Sequence, residues 1–180
     1  MIVGIFIRNY KCYTNLDFIP FFGSPDENLT VFIGSNGVGK SSIVEALNCV
    51  MNNVPPINWE TTLGQKKDRT YLAPVFLIPK EQLDENHHTT AISDVFWKYE
   101  FPFQPPIPAL TKFIEWREAI KKKINHNEYV LLCIGKDYDG KILMTSSHHK
   151  KIFDQTKRLG VSSAYINNLY SQLISRYNYI

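Results

Sequence analysis

The chain has 180 residues, and 44% hydrophobic with 13% aromatic residues supply apolar side chain for one core or a little more. A net charge of +3 neither demands nor excludes nucleic acid. Three widely spaced cysteines (Cys12, Cys49, Cys133) argue against a disulfide framework and fit a reducing cytoplasm. Residues 1–10 lack the charged start and long apolar middle of a secretory leader, and no run of about 18 apolar residues predicts a membrane span.

In chain order, Ile2 to Ile7 reads as a strand, followed by the polar stretch Arg8-Asn-Tyr-Lys-Cys-Tyr13. Leu16, Phe18 and Phe21 mark a short second strand, and Gly23 to Asn28 is a turn cluster. Leu29 to Ile33 is apolar and β-branched and predicts a third strand, feeding directly into a glycine-rich loop.

That loop is the strongest signal in the sequence. Gly34, Ser35, Asn36, Gly37, Val38, Gly39, Lys40 and Ser41 satisfy G-x-x-x-x-G-K-[ST] in full. The glycines let the backbone turn tightly and aim successive N–H groups inward, and a following helix adds the positive end of its dipole. Lys40 is expected to reach the β- and γ-phosphates of ATP, Ser41 to offer its hydroxyl to Mg²⁺, and Ser42 to add a phosphate donor in the first helical turn. Ile43, Val44, Leu47, Val50, Met51 and Val54 then recur at helical spacing until Pro55-Pro56 ends the helix.

Residues 60–70 are polar and read as an exposed loop. Tyr71 to Ile78 predicts a strand that Pro74 confines to an edge or makes irregular, and Asp94 to Phe101 predicts another. Pro102, Pro105, Pro106 and Pro108 form a stiff connector to a helix reaching about Asn125. Tyr129 to Ile134 and Lys141 to Thr145 predict a β-hairpin around Asp139-Gly140. Ile166, Leu169, Tyr170, Leu173, Ile174 and Tyr177 keep 3,4-spacing for a last amphipathic helix capped by Ser162 or Ser163.

The order strand, Asn9-Tyr10-Lys11-Cys12-Tyr13, strand, then Asn36-Gly-Val-Gly-Lys-Ser-Ser42 and Glu45-Ala-Leu47 resembles the N-terminal part of ABC-type ATPase heads of the SMC, RecF and OLD group. Ala73 to Leu83 is similar to the Septu and retron-associated ATPases of anti-phage systems. The resemblance implies an α/β P-loop NTPase with a mixed sheet and an antiparallel β-subdomain. It divides the chain into a nucleotide-binding core (1–58), a β-rich part with one helix (59–160) and the start of a helix leading onward (161–180). It also implies ATP and Mg²⁺ as cofactors and assigns Lys11 to the nucleotide phosphates, with Arg8 a weaker candidate. Two such heads would close on ATP, and the closed dimer would control DNA binding or an effector such as a nuclease.

Such heads also carry an L-S-x-G-x signature loop, a strand ending in Asp-Glu and a switch histidine, and the sequence offers none of them. Asp137 lies too far beyond the apolar run 129–134, and Gln82, Gln104, Gln155 and Gln172 are undistinguished candidates for the Mg²⁺-coordinating glutamine. The expectation is an N-terminal lobe of a larger ATPase that hydrolyses ATP poorly alone, for want of a water-activating carboxylate.

The alternative is a small P-loop kinase phosphorylating a nucleoside or similar small molecule. It suits the length, yet Arg69, Arg117, Arg158 and Arg176 are too isolated for a lid. A third reading is a scaffold piece that ATP merely stabilises. His87-His88 and His148-His149 read as solvated turn residues. Lys121-Lys122-Lys123 with Lys112, Arg117 and His126 reads as a solvated helix face, and Lys150, Lys151, Lys157 and Arg158 as a second basic cluster. Trp59, Trp97 and Trp116 read as core or contact residues.

Overall fold

The two longest apolar runs that carry β-branched residues become neighbouring strands. The computed structural model describes residues 1–21, 29–83, 87–98, 107–143 and 159–177. In it β1 (Ile2–Arg8) lies between β2 (Asp17–Pro20) and β3 (Tyr71–Pro79). The far edge of β3 is shared by β4 (Tyr129–Cys133), opposite Val75 to Pro79, and β5 (Gly135–Asp137), opposite Tyr71 and Leu72. A two-residue strand, β6 (Ile142–Leu143), pairs with β5. Nearly every residue of β1 and β3 is buried, so both faces of the sheet centre are covered.

Every pairing among the described strands is antiparallel, which corrects the expectation of a mixed sheet. β3 is also central rather than an edge. Pro74 is tolerated because the Pro74 carbonyl accepts from Ile134 N on the β4/β5 side, and a strand residue's N and O face the same edge. The missing N–H therefore falls where β4 gives way to β5, and no ladder bond is lost there.

Leu29 to Ile33 is not a strand. Its residues alternate, with Leu29, Val31 and Ile33 exposed, and Thr30 and Phe32 half-buried beside Phe21. The local pattern has period two, but the segment pairs with none of the described strands.

Among the described residues, four α-helices cover the sheet. α1 (Lys40–Met51) buries Ile43, Ala46 and Val50 and packs on β1 and β3. α2 (His87–Lys98) overturns the strand expected from Asp94 onward, of which residues 99–101 lie outside the described residues. Its buried Thr89, Ile92, Ser93, Phe96 and Trp97 recur at helical spacing against β4, and Ser93 Oγ accepts from Leu131 N at 2.9 Å. His87 and His88 open that helix, and His88 packs on Tyr165 instead of standing in a solvated turn.

α3 (Pro108–Lys121) starts with proline in its first turn, where no N–H is missed, and packs on β2. Phe113 and Trp116 close an aromatic cluster with Phe6 and Phe18, ring centroids 4.8–5.8 Å apart. Arg117 does not belong to a solvated basic face: it is 3% exposed, and its guanidinium donates to the Phe96 carbonyl at 3.0 Å. Lys112 and Lys121 are paired with Asp17 and Glu118. The expected hairpin turn at Asp139-Gly140 forms, but it joins β6 to β5, while residues 129–133 pair with β3. Asp137 accepts the turn's N–H groups of Asp139 and Lys141.

α4 (Ser163–Tyr177) begins with Ser162 Oγ accepting from Tyr165 N at 3.1 Å. It packs on α1 and β6, and Tyr170 Oη donates to the Val50 carbonyl at 3.3 Å. Trp59, Trp97 and Trp116 are all buried. His148-His149, the basic cluster 150–158, Gln104, Gln155 and most of the proline connector lie outside the described residues. No helix among the described residues is long and apolar enough to cross a membrane.

Candidate functional site

The phosphate loop sits on the surface with its backbone open. Gly34 to Val38 are exposed, and the loop enters α1 through Gly39 at φ 94, ψ 10. Only glycine holds that left-handed conformation without strain. A Cβ at residue 39 would also lie 2.6 Å from Cys12 Sγ and 3.0 Å from Tyr13 Oη, so backbone freedom and lack of space demand glycine together. No side chain caps α1, and the first N–H groups of a helix have no partner within it. Those donors, with the dipole behind them, favour an anion.

Lys40 Nζ bends back over the loop and donates to the Gly34 and Ser35 carbonyls at 2.7 and 2.6 Å. A phosphate entering the loop would exchange these neutral acceptors for charged ones, which make stronger bonds. Ser41 stands exposed in the first turn of α1, free of the core. Its hydroxyl and the loop donors fit a nucleoside triphosphate with Mg²⁺. Ser42 takes a different position, buried, with Oγ 3.8 Å from Cys12 Sγ.

Residues 10–13 run antiparallel along one side of the loop and α1. Tyr13 Oη donates to the Gly39 carbonyl at 3.4 Å. Cys12 meets Ser42, Lys11 Nζ is bonded to Glu45, and Tyr10 Oη meets Cys49 Sγ at 3.5 Å. The partners 39, 42, 45 and 49 follow the helical repeat, so a single face of α1 receives the segment. Asn9 and Lys11 both have φ near +50, which turns the chain tightly enough for Tyr10 and Tyr13 to exchange backbone hydrogen bonds at 3.1 and 2.9 Å.

A second loop props this segment from outside. Lys11 N donates to the Glu60 carbonyl at 2.9 Å, and Thr62 N to the Asn9 carbonyl at 3.3 Å. Asn9 Nδ2 reaches the Lys66 carbonyl at 2.7 Å and Thr70 Oγ1 at 3.0 Å. Arg8 is largely buried, and its Nε donates to the Arg69 carbonyl at 2.6 Å. Arg8 therefore fixes loop 60–70.

The structure thus brings Lys11, Gly39, Lys40, Ser41 and Ser42 into one neighbourhood. Sequence reasoning used Glu45 only as part of the helix motif Glu45-Ala-Leu47 and passed over Glu60. Glu60 Oε2 lies 3.4 Å from Lys11 Nζ, which is also bonded to Glu45. The hydrogen bond that Lys11 donates to Glu45, with help from Glu60, raises the Lys11 pKa above its ordinary value. The helical phase of Glu45 relative to Ser42 was a usable signal; nothing local pointed to Glu60.

Asp17 and Asp137 are the acidic residues on the described strands, and they bind Lys112 and a turn backbone respectively. Gln82 and Gln172 are both exposed, the first in a turn after β3 and the second on α4. Among the described residues no group of three or more His, Cys, Asp and Glu could hold a metal ion.

No curated protein and no solved structure matches this chain. The AAA ATPase domain family matches residues 1–178, which include the phosphate loop, the segment 9–13 and α1 to α4. The chain belongs to the AAA ATPase domain family.

Proposed function

We propose that Gly34 to Ser42 binds ATP with Mg²⁺ and that this binding drives a conformational switch. The observation that carries the reading is the open loop, with exposed Gly34 to Val38, an uncapped α1 and Lys40 folded over it. In this reading Ser41 supplies the Mg²⁺ ligand, Lys40 the phosphate contact and Lys11 a second cation from beside the loop. A second ATPase head of the ABC type completes the site, and the closed pair controls DNA binding or an effector such as a nuclease, in DNA maintenance or anti-phage defence in the cytoplasm. Asp17 and Asp137 are engaged with Lys112 and a turn backbone, and in this reading the water-activating carboxylate comes with the second head.

The kinase alternative loses support from its arginines. Arg117 is buried against Phe96, and Arg176 donates to the Gln82 carbonyl. Phosphate release from ATP, measured for the full protein with and without Lys40→Ala, tests the reading. Turnover that requires Lys40 and rises more than linearly with protein concentration agrees with two heads. Turnover that appears only with a nucleoside acceptor contradicts it.

A further inference from the structure

Lys11 is one residue from Cys12, whose sulfur touches the Gly39 end of the loop, yet its ammonium points the other way. It lies along α1 toward Glu45, three residues beyond Ser42, and Glu60 closes over it at 3.4 Å. Glu45 lies three residues, about 4.5 Å of helix rise, beyond Ser42, a span that a change of lysine rotamer would cover. The two carboxylates come from different elements: Glu45 from α1, which the phosphate loop enters directly, and Glu60 from the segment whose carbonyl already holds Lys11 N.

We propose that Glu45 and Glu60 are positioning residues that hold Lys11 away from the phosphate loop until nucleotide is bound. The proposal rests on nucleotide binding at Gly34 to Ser42. Triphosphate carries more negative charge than the carboxylate pair and draws Lys11 across. The clamp lowers affinity for nucleotide, because part of the attraction replaces an ion pair already made. It also prevents a free ammonium from drawing other anions into the loop. Lys11 is a partly shielded cation, its side chain 20% exposed, between half-exposed Glu45 and well-exposed Glu60. Ion pairs of this exposure change an equilibrium by a small factor, which sets the expected effect.

The test is a double-mutant cycle on Mg·ATP affinity, read with a fluorescent ATP analogue, for the wild type, Glu45→Gln, Lys11→Ala and the double variant. Glu45→Gln is expected to bind about two- to fivefold tighter, Lys11→Ala more weakly, and the Glu45→Gln gain is expected to vanish in the Lys11→Ala background. Glu60→Gln, at a well-exposed position, is expected to give a smaller gain of the same sign even if Glu45→Gln folds poorly. Weaker binding by both glutamine variants overturns the proposal, since that is what a purely structural ion pair would give. A gain that persists undiminished without Lys11 also overturns it, because simple removal of negative charge would then suffice. Wild-type protein with no Lys40-dependent binding overturns the nucleotide reading itself, and the clamp with it.

Discussion

Gly39→Ala is expected to cost more than Gly37→Ala, although both glycines have positive φ. At Gly37 (φ +85) a Cβ would meet nothing within 4 Å, so the cost is conformational, about 1–2 kcal/mol for a left-handed alanine. At Gly39 (φ +94) the same cost applies, and the Cβ also runs into Cys12 Sγ at 2.6 Å and Tyr13 Oη at 3.0 Å. Both atoms are side-chain ends that can shift, so overpacking adds only about 1 kcal/mol. The total is about 2–3 kcal/mol, and the difference between the two variants isolates the clash. Urea unfolding with an unchanged slope gives the comparison directly. Adding Cys12→Ala to Gly39→Ala is expected to recover part of the overpacking cost, since Tyr13 still crowds the site. Equal losses in the two glycine variants, or no recovery on removing the sulfur, would refute the packing of segment 10–13 against the loop.

Other outcomes are accessible with simple assays. Cys12 is exposed while Cys49 and Cys133 are buried, and burial pushes the Cys133 thiol up to about 12. A thiol reagent is therefore expected to modify Cys12 alone in the folded chain, and Mg·ATP is expected to slow that reaction; mass spectrometry of the labelled peptides checks both. Phe113→Ala empties the centre of the aromatic cluster with Phe6, Phe18 and Trp116 and is expected to cost about 3–5 kcal/mol in chemical denaturation. Lys121, with Arg117 behind it, holds the Glu118 carboxyl below its ordinary 4.5. Glu118 is half-exposed, so the gap in stability between wild type and Glu118→Gln is expected to stay under about 1 kcal/mol. A depressed carboxylate stabilises the fold above its unfolded pKa, so this gap is full above about pH 4.5 and closes as pH falls through the lower, folded value.

Local signals carried α1 and α4 well. Gly39 and Lys40 open the first, Ser162 caps the second, and their apolar positions recur with helical period over twelve and fifteen residues. The stretch around Asp94 to Trp97 misled because a short apolar run looks alike in strand and helix, and only packing on β4 decides. Pro74 misled for a related reason. Its missing donor matters only on the edge it faces, and the break between β4 and β5 is not visible from residues 71–79. Leu29 to Ile33 has strand composition, but a strand needs a partner ladder, and the segment pairs with no described strand. In the site, the loop was legible because its function requires residue types at fixed spacing. The Lys11–Glu45 pair was not, since it joins residues 34 apart through the fold.

The most direct measurement of the central claim is calorimetric titration of the protein with Mg·ATP, beside Lys40→Ala and beside AMP. The loop geometry predicts saturable binding of ATP, a loss of at least about tenfold on removing the Lys40 ammonium, and little binding of AMP, which lacks the β- and γ-phosphates that Lys40 would meet. Equal affinity for ATP with and without Lys40, or no binding by the wild type, would contradict it.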